Sequence, residues 1–223
     1  MKRIIVGIAG ASGVIYGIRL LEVLKAIGGY EVHLVMSRYA RMNIEIETDF
    51  TAKYVEDLAD VVHNSGNQAA AISSGSFQTE GMIVTACSMR TLSAITHSMT
   101  DNLVTRAADV VLKEKRRLVL MPREAPLHVG HCKLLFEAAQ LGAIIAPPMP
   151  AFYNRPKTID DIVNHGVGRV LDLFDIDAGL LKRWEGPYPH FEGSKLSQPE
   201  AATGKPVSED QSSPQHPKAT TDT

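Results

Sequence analysis

Apolar residues gather in five short runs, Arg3 to Ala9, Glu31 to Met36, Gly81 to Ala86, Arg117 to Met121 and Gly142 to Ala146, each of strand length. Between them the period changes. Ile15, Ile18, Leu21 and Leu24 recur at helical spacing and stop at Gly28-Gly29, and Leu103, Ala107, Val110 and Val111 do the same before the basic stretch Lys113 to Arg117. A last helical pattern runs from Ile159 through Ile162, Val163, Val170 and Leu171 to Phe174. The strands are too uniformly apolar to leave one face in water, so they predict a parallel sheet covered by helices on both sides. This is a three-layer, doubly wound α/β fold, whose ligands bind at the carboxyl ends of the strands.

The 223 residues, 44% hydrophobic and 22% charged, suffice for one domain with a substantial core. We expect it to span 1–190. After Trp184, and fully after Gly193, the composition turns to Ser, Pro, Gln, Thr, Lys and Asp, which cannot offset the entropy of ordering; 191–223 is expected to be a disordered polar tail. A formal net charge of -2 gives no basic field for nucleic acid or anionic membrane, and no stretch approaches the roughly 18 apolar residues of a membrane span. Cys87 and Cys132 stand far apart, with no disulfide framework or zinc ribbon, which fits a cytoplasmic protein.

The candidate chemistry lies at the strand ends. The first strand runs into Gly7-Ile8-Ala9-Gly10-Ala11-Ser12-Gly13 and then at once into a helix, where free N–H groups and the helix dipole can hold an anion. A turn serving only tight packing would look similar. The glycine spacing is not that of a dinucleotide fingerprint, and the second strand ends in Met36-Ser37 where a ribose-binding carboxylate would stand, so a mononucleotide fits better than NAD. The third strand ends in Cys87-Ser88-Met89-Arg90-Thr91; Cys87 reads as a small buried hydrophobe. The fourth leads to Arg123-Glu124 in a proline-flanked loop, either a surface ion pair or part of a site. Lys113, Arg123 and Arg169 with Tyr153 would supply three cations and a phenol for a phosphate. Pro147-Pro148-Met149-Pro150-Ala151-Phe152-Tyr153 is too proline-rich for helix. His128, His131 and Cys132 lack a fourth ligand at recognised spacing, and no metal is expected.

Taken in order, Gly10-Ala11-Ser12-Gly13, Ser37, Ser73-Ser74-Gly75-Ser76, Cys87 to Thr91, Arg106 to Glu114, Leu118 to Glu124 and Pro147 to Tyr153 resemble the UbiX/Pad1 flavin prenyltransferases, over Met1 to Trp184. The resemblance implies a flavodoxin-like Rossmann variant that assembles as a homo-oligomer, a dodecamer, with FMN at subunit interfaces. It assigns FMN to Gly10, Ala11, Ser12, Ser37, Ser88, Met89, Arg90, Thr91 and Arg123. It assigns the phosphate of dimethylallyl phosphate to Lys113, Arg123, Tyr153 and Arg169, and makes Glu47, Glu124 and Trp184 further active-site positions. Lys113 and Glu124 are then catalytic candidates together with Glu47 and Trp184.

The implied reaction alkylates reduced FMN at N5 as phosphate leaves, closes a ring onto C6 and yields prenylated FMN for a partner decarboxylase of UbiD type. Cations would stabilise the departing phosphate, and Glu124 would protonate it. No Asp-rich magnesium motif accompanies these residues, so a monophosphate is the simpler substrate. Two alternatives compete: a flavin-dependent decarboxylase or its small subunit, and an electron-transfer flavoprotein, which would not need a second phosphate site.

Overall fold

All five predicted strands form, and every pairing between neighbours is parallel. In the computed structural model, which describes residues 1–184 and 186, β1 (Lys2–Ile8), β2 (Tyr30–Met36), β3 (Val61–His63), β4 (Gly81–Cys87), β5 (Arg117–Pro122) and β6 (Ile144–Ile145) lie in the order β3-β2-β1-β4-β5-β6. The order reverses between β1 and β4, the switch point at which an open α/β sheet binds ligands. Met1–Trp184 form one compact unit. The polar tail expected at 191–223 lies outside the described residues.

The two-sided burial inferred from the apolar strands is visible residue by residue. Along β1, Ile4, Val6 and Ile8 enter one core layer with α1 (Ile15–Ile27) and α7 (Ile159–Asp172), while Ile5 enters the other. That second layer is closed by α4 (Met89–Thr96) and α5 (Leu103–Lys113), with a single buried residue, Ala138, from α6 (Val129–Gln140). Alternate side chains of a strand point to opposite faces, so each strand feeds both layers. Each fully buried Ile or Leu contributes about 1.5–3 kcal/mol relative to exposure.

Some elements escaped the hydrophobic pattern. Strand β3 is only three residues at the sheet edge, and β6 is shorter than the run from Gly142 to Ala146. The helices α2 (Arg38–Glu47) and α3 (Ala52–Glu56) bury only Ala40, Ile44 and Val55, too few for a period to show. The proline-rich stretch is irregular as expected, except for one 3-10 turn at Phe152–Asn154. The last helix ends at Asp172, before Phe174, and is started by a capping box: Thr158 Oγ1 accepts from Asp161 N at 3.1 Å while the Asp161 carboxylate accepts from Thr158 N at 2.9 Å.

Gly81 opens β4 at φ +145°, and a Cβ there would stand 2.1 Å from the Arg117 carbonyl oxygen of the paired strand. No side-chain rotation relieves a contact with backbone. Gly81→Ala should therefore lower stability by about 2 kcal/mol or more, read as a fall in urea midpoint with an unchanged slope.

Candidate active site

The carboxyl edge of the sheet carries the helix starts. Ser37, directly after β2, caps α2 by accepting from Ala40 N at 3.0 Å; Ser88, directly after β4, caps α4 by accepting from Thr91 N at 3.2 Å. Asn102 caps α5, its Oδ1 accepting from Val104 N at 3.0 Å and Thr105 N at 3.2 Å. These three caps line one cleft of about 460 Å3, together with Gly10, Arg38, Tyr39, Arg90 and Thr91. Uncompensated N–H groups and dipoles at helix starts favour an anion, and the hydroxyls and guanidinium groups add donors. Gly10 is required by the packing: a Cβ there would fall 2.6 Å from Tyr39 Cβ. Asn43 of α2 fastens the same loop, its Nδ2 donating to the carbonyls of Gly10 at 3.1 Å and Ala11 at 3.3 Å. Neither Tyr39, Asn43 nor Asn102 was singled out from sequence, since each acts through α2 or a cap whose place only the fold reveals.

At the end of β4 the pairing register shifts between Val84 and Cys87, and Ala86 takes φ +45°. Such a bulge re-aims the chain beyond it. Cys87 itself is fully buried, and burial pushes its thiol up to about 12, so it serves as a core residue as its sequence context indicated. Met89 packs against the same core layer, while Arg90 faces out. Ala11 donates its N–H to the Ala86 carbonyl at 2.9 Å, and Arg123 donates its N–H to the Cys87 carbonyl at 3.1 Å, so the ends of β1, β4 and β5 are stitched side by side.

The start of α1 differs from expectation. Glu47 Oε2 accepts from Gly13 N at 2.8 Å and from Val14 N at 3.3 Å, so a carboxylate of this chain already meets the helix start beside Ser12. An anion bound elsewhere at the edge does not need this terminus.

A second group forms where β5 and β6 end. Tyr153, His165 and Arg169 share a cavity of about 410 Å3 with Met121 and the segment Ile144 to Met149. Tyr153, His165 and Arg169 also line an adjoining cavity of about 370 Å3 with Lys182, Arg183 and Trp184. The Tyr153 and Trp184 rings meet edge-to-face with centroids 5.7 Å apart. Trp184 is tethered through Arg183, which grips Asp172 with two hydrogen bonds of 2.9 and 3.0 Å, while Arg169 reaches the same carboxylate at 3.0 Å. The Arg183 hydrogen bond holds the Asp172 carboxyl below its ordinary range.

Arg123 and Glu124 are exposed in the loop after β5, with the Glu124 carboxylate accepting from Ala125 N at 3.1 Å. Lys113 is not brought to them. It ends α5 at the opposite edge of the sheet, ion-paired with Glu114 beside Gly75, and β5 alone separates it from Arg123 by about 17 Å at the usual strand rise. His128 caps α6 by accepting from Gly130 N at 3.0 Å, a structural task. Among the described residues no group of three or more His, Cys, Asp or Glu could hold a metal ion.

The flavoprotein family matches this chain over residues 1–171. The flavin prenyltransferase UbiX of Escherichia coli strain K12 is 58% identical over 188 residues, covering 83% of this chain and 100% of that protein. A dodecameric FMN-dependent UbiX-like decarboxylase from Escherichia coli O157:H7 superposes with a TM-score of 0.82 at 51% identity, over 83% of this chain and 100% of that one. AnUbiX, solved in complex with FMN and dimethylallyl pyrophosphate, has a TM-score of 0.82 at 48% identity, over 84% of this chain and 99% of that one. The chain therefore belongs to the flavoprotein family and, within it, to the UbiX flavin prenyltransferases.

Proposed function

We infer that the protein transfers the dimethylallyl group of dimethylallyl monophosphate to N5 and C6 of reduced FMN. The observation that carries this reading is the presence of two separate anion-suited pockets at one sheet edge. One is built from helix starts, hydroxyls and Arg90, and fits a mononucleotide. The other is built from Tyr153 and Arg169 with an aromatic wall, and fits a small phosphate ester with an apolar tail. An electron carrier would need only the first. A self-sufficient decarboxylase would need a base at the flavin, and the second pocket offers cations instead.

In this assignment Gly10, Ala11, Ser12, Ser37 and Ser88 to Thr91 hold FMN together with Arg123, whose backbone N–H donates to the Cys87 carbonyl just before Ser88. The donor set fits that group, because Ser37, Ser88 and Thr91 supply hydroxyls and Arg38 and Arg90 supply guanidinium groups around a cleft of suitable size. Reduced flavin supplies the nucleophilic nitrogen. The carbon–oxygen bond of the ester breaks as the carbon–nitrogen bond forms, and the electron pair goes to phosphate. Arg169, Arg123 and the Tyr153 hydroxyl stabilise that charge where it develops, Glu124 protonates it, and the Trp184 and Tyr153 faces line the path of the allylic carbon.

Lys113 can join this site only from another copy of the chain. An assembly, a dodecamer in this proposal, is supported by the apolar surface beside the site: Val129 is 86% and Phe136 62% exposed on α6, and Phe152, Met149 and Ile159 are also exposed. The FMN-dependent UbiX-like decarboxylase from Escherichia coli O157:H7 is dodecameric. The product is destined for a decarboxylase of UbiD type. Cys87 and Cys132 are both free, which fits a cytoplasmic protein, and among the described residues no helix is long and apolar enough to cross a membrane.

Incubated anaerobically with reduced FMN and dimethylallyl phosphate, the protein should release flavin heavier by one prenyl group, as read by mass spectrometry. Bound FMN recovered without added mass would remove the assignment. Glu124→Gln should slow product formation by about a hundredfold or more, and an unchanged rate would take Glu124 out of the proton transfer.

The Asp172 clasp gives a pH prediction. Its carboxyl titrates below the ordinary value when folded, so the stabilisation is complete above the ordinary carboxylate range and is lost as pH falls through the depressed value. Trp184 is the only tryptophan, so its acrylamide quenching should be constant from neutral pH down to that range and rise below it. Asp172→Asn should show the raised quenching already at neutral pH.

A further inference from the structure

The polar wall of the cavity at the ends of β5 and β6 contains one residue without a part so far. His165 lies on α7 one turn before Arg169, only 6% exposed, and both of its ring nitrogens face polar neighbours. Nδ1 is 3.1 Å from Asn154 Nδ2, and Nε2 is 3.4 Å from Tyr153 Oη, with the phenol ring edge-on at a centroid distance of 5.7 Å. Asn154 and Tyr153 belong to the same 3-10 turn, so the histidine braces that turn from the helix at two points.

The donor inventory fixes the hydrogen positions. An amide nitrogen only donates, so Nδ1 must accept, and the one hydrogen of a neutral imidazole then sits on Nε2. Turning the Asn154 amide over would place its two N–H bonds where Oδ1 now lies buried without a partner, and orphaned donors are rarer than under-satisfied carbonyls. A charged ring would carry hydrogen on both nitrogens and confront the Asn154 N–H. Burial, and secondarily the Arg169 charge, lower the pKa of His165 and keep the ring neutral. Lys182 and Arg183 are the other cations lining the adjoining cavity.

We propose that His165 is a positioning residue for the phosphate ester: its Nε2–H is given to the Tyr153 oxygen, so that the phenol's own hydrogen is left to point at the phosphate beside Arg169. The opposite tautomer would consume the Tyr153 hydrogen and turn an oxygen lone pair toward an anion. The direction of one hydrogen bond thus decides whether Tyr153 binds or repels the ester. This inference rests on the function proposed above.

Two measurements test it. Nitrogen-15 NMR of the protein labelled in its histidines, with His165→Gln used to assign the resonance, should show His165 as the neutral Nε2–H form; a Nδ1–H ring overturns the proposal whatever the enzyme does. In steady-state prenylation, His165→Leu should raise KM for dimethylallyl phosphate about tenfold, with little change in kcat or in FMN affinity. His165→Gln, whose amide can donate to Tyr153 and accept from Asn154, should restore it. In a Tyr153→Phe background, His165→Leu should add no further loss. Normal KM in His165→Leu, or a full additional loss in that background, overturns the positioning role while prenylation by the wild type leaves the functional reading intact. A wild type that adds no prenyl mass overturns both.

Discussion

A parallel sheet buried on both faces exposes only its strand ends to a ligand, and in this protein all of the chemistry depends on that restriction. The bodies of β1, β2, β4 and β5 are largely apolar because they face two helical layers, and each crossover returns the chain so that every strand points the same way. The carboxyl edge therefore collects the residues at which the strands end: the glycine loop after β1, Ser37 after β2, Ser88 after β4, Arg123 after β5 and the proline segment after β6. No single motif makes the site. The topology gathers several weak ones into one edge.

The same restriction explains why some elements could be read from sequence and others could not. Strands β1, β2, β4 and β5 and the core helices α1, α5 and α7 announce themselves because burial against two layers demands a continuous apolar run or a full helical period. Elements held by few apolar contacts do not. Helix α2 is fixed by Asn43 and by the close approach of Tyr39 to Gly10, and α6 buries only Ala138, so neither leaves a strong pattern. Strand β3 is too short and too much at the edge for three residues to stand out.

For the site, residue type at a strand end was informative, and the partners of those residues were not. Ser37, Ser88, Thr91 and Arg90 fall on one cleft, and Tyr153, Arg169 and Trp184 gather as a second group. His165 and Asn154 were hidden because a buried histidine on an amphipathic helix, or an asparagine after an aromatic pair, is unremarkable until the fold brings them within hydrogen-bond reach of Tyr153. Lys113 shows the converse. Its type suits a phosphate, yet α5 runs against the strands and delivers its last turn to the far edge, so one chain alone cannot use it at this site.

Glu47 supplies the remaining step. A flavin phosphate and a departing phosphate both carry negative charge, and like charges a few ångströms apart in a partly dry cleft repel by several kcal/mol. The fold keeps the two anion-suited pockets on different strand ends. By holding Gly13 and Val14 with a carboxylate from α2, it also occupies the start of α1 on the same edge. A third attractive position for an anion is thereby removed from the edge. In the function proposed above, nucleotide phosphate is left to the starts of α2, α4 and α5, and the leaving phosphate to Arg169 and Tyr153. Within that proposed function, the Glu47 carboxylate keeps both anions off the start of α1 with the hydrogen bonds of an ordinary helix cap.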